Sequence, residues 1–155
     1  MTYLTPKCLA ITSLLFLSSG IYAFIHGVYA FTALSVITAS VSANYWRNPV
    51  FGYARVLDLV FSKVSFAIYF VTGCTYLHDT TVLPVAIVVC GGIVHCYFMS
   101  NHLHSFREPR WLYYHAVFHC LVAIEQYIVV GAYIYFLKSV SDASASPTVC
   151  SPFFK

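Results

Sequence analysis

The chain has 155 residues, 60% of them hydrophobic and 8% charged, with a net charge of +3. Its mean hydropathy of +0.78 excludes a soluble globular domain, and its scattered basic residues exclude a nucleic-acid footprint. The length allows one domain, and the composition points to an all-α, polytopic transmembrane helical bundle.

Crossing about 30 Å of hydrocarbon takes roughly 20 apolar residues in a helix. Five such runs are present. The first covers residues 8–25, and the second covers 28–45 after a His26-Gly27 turn. The third, 51–77, opens after the Asn48-Pro49 breaker, whose proline cannot continue a helix. The fourth, 82–101, carries Pro84 in its first turn, where proline is tolerated. The fifth, 111–138, follows the polar segment 102–110. Residues 139–155 are Ser/Pro-rich and read as a poorly ordered tail beyond the bundle of residues 1–138. The first run also has features of a signal peptide (Lys7, then the small residues Ser18-Ser19-Gly20), but its length and the absence of a clean small-x-small site favour a retained helix.

Basic residues set an orientation. Lys7, Arg47, Arg55, Arg107 and Arg110 fall on one side of the five spans, whereas Lys138 and Lys155 fall on the other. By the positive-inside rule the N-terminus is cytoplasmic, or matrix-like, and the C-terminus lies on the far side. The cysteines do not form a disulfide framework. Cys90, Cys96 and Cys120 fall inside spans, and no C-x-x-C pair occurs, although Cys74 and Cys150 share a side and can meet there.

Ionisable groups inside apolar spans are expensive and mark candidate sites. Asp58, His95, His115, His119 and Glu125 are such groups, and Lys63 is read as snorkelling to the inner surface. Helical spacing puts Ser35, Thr38, Ser42 and Tyr45 on one stripe and Asp58, Ser62, Ser65 and Tyr69 on another. His115, His119 and Gln126 fall within about 40° of each other on the last helix, at 100° per residue. Ser42, Asp58, His95, His115 and His119 all lie within about 12 Å of the inner face at 1.5 Å per residue. One polar pocket at that depth is the economical reading. Serine and threonine stripes also serve as helix–helix glue, and a single His95 also serves as a packing residue. Two imidazoles at i and i+4 can meet one metal, which makes His115 and His119 candidate ligands.

Taken in order, three motifs resemble the CREST superfamily of seven-helix membrane proteins, which includes alkaline ceramidases, the hemolysin III group and the adiponectin and progestin receptors. Ser42-Ala-Asn-Tyr-Trp46 resembles its second-helix serine motif, Arg55-Val-Leu-Asp58 its third-helix aspartate, and His115-Ala-Val-Phe-His119 its terminal histidine pair. The resemblance covers about residues 42–69 and 110–131, and the chain reads as a shortened, divergent member. It departs in having five spans, and in Trp46 where the family places its third histidine.

The resemblance implies a zinc site at His115 and His119, with Asp58 acting on a bound water and Ser42 stabilising the oxyanion of a lipid amide or ester. Because Trp46 cannot ligate zinc, His95 is the expected third ligand, with His102 and His104 in reserve. A catalytic zinc wants three protein ligands, so the departure favours a non-catalytic scaffold or assembly component over a hydrolase. A b-type haem anchor using His95 with His115 or His119 is the third reading. Expected partners are membrane lipids and other membrane-protein subunits.

Overall fold

A computed structural model describes residues 5–50, 52–77 and 81–145. Their helices are α1 (Pro6–Ser13), α2 (Leu15–Ile25), α3 (Tyr29–Arg47), α4 (Tyr53–Tyr76), α5 (Leu83–Ser105) and α6 (Trp111–Ala145). Leu14, between α1 and α2, keeps right-handed helical dihedrals, so the two form one rod. The architecture is therefore an all-α bundle of five rods.

Local signals place the ends. Pro6 and Pro84 sit in the first turns of α1 and α5, where the missing N–H would have no intrahelical partner. Gly27 takes φ 75° in the turn between α2 and α3, a conformation that costs other residues a steric clash. Two ends differ from expectation. Helix α5 runs to Ser105, so His102 and His104 belong to its last turn and not to the connection. Helix α6 runs to Ala145, past the expected end at Lys138, because nothing in residues 139–145 breaks a helix. The expected tail beyond residue 145, with Cys150 and its pairing to Cys74, lies outside the described residues, as do Phe51 and residues 78–80.

Among the described residues four rods are long and apolar enough to cross a membrane: Pro6–Ile25, Tyr53–Tyr76, Leu83–Ser105 and Trp111–Ser144. Helix α3, expected as a span, is not among them. Its 19 residues include Thr32, Ser35, Thr38, Ser40, Ser42 and Asn44, and Ser35, Thr38 and Ser42 are buried against other helices. The outer surface is the reverse of a soluble protein's, since Val88 is 74% exposed and Val71 63%, while Ser13, Ser19 and Ser35 are fully buried. Lipid suits that surface, whose backbone polar groups are satisfied inside helices. The chain is a membrane protein.

Packing is centred on α6, which contacts α1, α2, α4 and α5, while α3 packs on α1, α2 and α4. The first rod is integral to the bundle, with Leu9, Ser13, Phe16, Ser19, Gly20 and Ala23 buried. Consecutive helices α4 and α5 instead flank α6 without packing substantially on each other. That gap between neighbours positions the site described next.

Candidate functional site: a cleft between α4 and α5

The bundle interior carries a seam of hydroxyl groups rather than a purely apolar core. Ser35 Oγ lies 2.9 Å from the Tyr69 hydroxyl and 3.3 Å from Ser19 Oγ, which donates to Gln126 Oε1 at 2.6 Å. Thr38 bonds Ser65, and Ser13 Oγ lies 3.0 Å from Ser42 Oγ. Each bond joins two different helices, which is how polar side chains hold membrane bundles together. Gly20 permits the closest approach: a Cβ there would sit 2.9 Å from Ser35 Cβ.

Where the seam meets the α4–α5 gap there is a cavity of about 330 Å³. On its inner side the polar side chains of Ser42, Asp58, Ser62, His115, His119 and Gln126 are interspersed with Phe16, Phe118 and Val122, so its surface is mostly apolar. Its outer walls are apolar except at Lys63: Leu59 and Phe66 from α4, and Ile93, Val94, Tyr97 and Phe98 from α5. Leu59, Val94, Tyr97 and Phe98 are exposed, so the cavity opens sideways through the bundle surface. Lys63, expected to snorkel to the inner surface, lines this cavity as well, exposed on the face of α4 that carries Leu59 and Phe66.

The two histidines are held from opposite sides. Thr12 Oγ1 lies 2.8 Å from His119 Nδ1 and also donates to the Leu9 carbonyl at 3.1 Å. A hydroxyl has one proton, so with it on Leu9 the threonine accepts from Nδ1–H, leaving a lone pair on His119 Nε2. Ser100 Oγ lies 3.2 Å from His115 Nδ1. The His115 ring packs 4.9 Å from those of Trp46 and His119, centroid to centroid. The Asp58 carboxyl is buried beside the hydroxyls of Ser42 and Ser62, yet its Oδ1 has no hydrogen-bond partner among the described residues.

Ser42, Asp58, His115 and His119 thus border one cavity, whereas His95 lines neither that cavity nor a second one beside Trp46 and Trp111. It is exposed on α5, 6.3 Å from the Tyr114 ring, because the inward face of that helix is Ala86, Val89, Ile93, Cys96, Ser100 and Leu103. A third ligand at His95 and an axial haem pair through His95 both lack this placement. Among the described residues no three His, Cys, Asp or Glu side chains come together to hold an ion. With Trp46 in the motif's third position, the donor set does not complete the zinc centre that the resemblance implies. Glu125, also buried, lines neither cavity.

Sequence reasoning missed Thr12, Ser13 and Ser100. Thr12 and Ser19 lie seven residues apart on the first rod, and Ser100 continues the inward stripe of α5; both are periodic signals of the kind that marked the other helices. No protein-family model, characterised protein or solved structure matches the chain.

Proposed function

We propose that this chain is a multi-pass integral membrane protein that holds a lipid in the α4–α5 cleft without transforming it, as a scaffold or assembly component. The observation that carries this reading is the cleft's construction: it opens sideways, is walled by Leu59, Phe66, Val94 and Phe98, and has a mostly apolar interior into which a few hydroxyls, two imidazoles and a carboxyl are set. An acyl chain matches the walls, and a lipid's polar linkage matches those polar groups. The acyl chain is already in hydrocarbon, so its gain in the cleft is close packing against the walls and not removal from water. Asp58 and His115, near the starts of α4 and α6, lie toward the side with Arg47, Arg55, Arg107 and Arg110, which the positive-inside rule puts in the cytoplasm together with the N-terminus. The resemblance to CREST proteins fits a chain that kept a lipid cavity and replaced a ligand position by Trp46.

Extraction of lipid from the detergent-purified protein tests this. About one tightly held lipid per chain, recovered intact, is the expected result, and a chain free of lipid after mild purification contradicts it. A second reading, hydrolysis of a lipid amide or ester, is favoured by the shared position of Asp58, His115 and His119 on one cavity. Recovery of free fatty acid, with its release lost in Asp58→Asn, would put that second reading in place of the first.

A further inference from the structure

Asp58, His119 and Glu125, ionisable groups carried by the spans, are buried inside the bundle. His95 is not, because it stands exposed on α5. That helix runs from Leu83 to Ser105, so His95 is about 15 Å or more from either end at 1.5 Å per residue. A lysine stem reaches toward water from within a membrane, but an imidazole one carbon from the backbone stays in the hydrocarbon. Its ring stands 6.3 Å from the Tyr114 ring, and no hydrogen bond joins it to another described residue. Lipid tails offer neither donor nor acceptor, so an imidazole facing them is left unsatisfied where that is costly.

The residues around His95 suit a second helix. Val88, Gly91, His95 and His102 are all exposed and follow at steps of three, four and seven. Such steps keep the 3.5-residue repeat along which two parallel helices pack in a left-handed crossing. A Cβ at Gly91 would meet nothing within 4 Å, so an open notch one turn from His95 lets another backbone approach. Phe98, between His95 and His102 in the repeat, is on the edge of this stripe toward the cleft, whose wall it forms.

Depth and chemistry decide which helix fits. The positive-inside rule inserts every copy of the chain the same way round, so a two-fold axis relating two copies is normal to the membrane. Each residue near that axis then meets its own counterpart at the same depth. A neutral imidazole carries one N–H donor and one bare nitrogen acceptor, so two His95 rings answer each other. We infer that the chain pairs with a second copy of itself along this face of α5, Gly91 against Gly91 and His95 hydrogen-bonded to His95. The pairing does not depend on whether the cleft holds lipid.

The test counts photobleaching steps of the fluorescently tagged full chain in phosphatidylcholine–phosphatidylglycerol liposomes over a range of protein-to-lipid ratios. Wild type should pass from one step to two as the ratio rises. His95→Leu should raise the dissociation constant of the dimer by about threefold to tenfold, the scale of one interhelical hydrogen bond in a bilayer. His95→Asn keeps a donor and an acceptor and should stay within about twofold of wild type. Gly91→Leu should weaken the dimer at least as much as His95→Leu. Its thermal unfolding at high dilution should stay that of wild type, since the added Cβ meets nothing in its own chain. A wild-type chain that is monomeric at every ratio would assign this face to lipid or to a different subunit and overturn self-pairing. A dimer equally tight in wild type, His95→Leu and Gly91→Leu would place the interface on another face and overturn it as well.

Discussion

In the Val94→Trp variant, retained lipid falls by about tenfold or more, equivalent to about 1.4 kcal/mol, while thermal unfolding stays close to wild type. Val94 stands on the α5 wall of the cleft and is 44% exposed, so an indole there projects into open space rather than into packed side chains. The space is about 330 Å³, and an indole occupies much of the mouth that a chain needs. Overpacking penalties apply to filled cores, and this position is not one. Lipid extraction beside a thermal melt separates the two effects. Unchanged lipid retention in this variant would mean that lipid does not enter between α4 and α5.

A larger effect on stability is expected at the α2–α3 crossing. Even an alanine Cβ at Gly20 would come within 2.9 Å of Ser35 Cβ, so leucine must push the helices apart. Overpacking of this kind costs about 1–3 kcal/mol. Separation also strains the bonds that Ser19 and Ser35 make with each other, with Gln126 and with Tyr69. Interhelical hydrogen bonds in membranes contribute about 0.6 kcal/mol each on average. Gly20→Leu should therefore destabilise by about 3 kcal/mol or more in denaturing-detergent titrations. Gly20→Ala should lose less, since only one Cβ must then be accommodated against Ser35. A Gly20→Leu chain as stable as wild type would show that this crossing is not tightly packed.

Local signals made the rods legible in the sequence. Apolar runs, prolines in first turns and the Gly27 turn are determined by neighbouring residues alone, so α4, α5 and the start of α6 lie within a few residues of expectation. The inward stripes of α3 and α4 were equally readable, because a stripe of Ser35, Thr38 and Ser42 needs only helical periodicity to be seen. Periodicity does not say which helix a stripe meets. Nothing local announced that the first rod would supply Thr12 to His119, a contact across 107 residues. Nor did depth alone place His95, which shares its level with the cavity but lies off the inward face of α5. The missing packing between α4 and α5 is a property of the whole bundle. So is the cleft, which no single helix encodes.

The most direct measurement of where lipid binds is photo-crosslinking with a phospholipid carrying a diazirine in its acyl chain, followed by peptide mapping. Labels should concentrate on the facing walls of the cleft, at Leu59 and Phe66 of α4 and at Val94 and Phe98 of α5. They should fall sharply there in Val94→Trp. Equally exposed residues on other faces, such as Ile21 on α2 and Val88 on the opposite side of α5, should carry only background label. Label spread evenly over all exposed apolar residues, and unchanged by Val94→Trp, would show that lipid merely surrounds the bundle and that the cleft holds none.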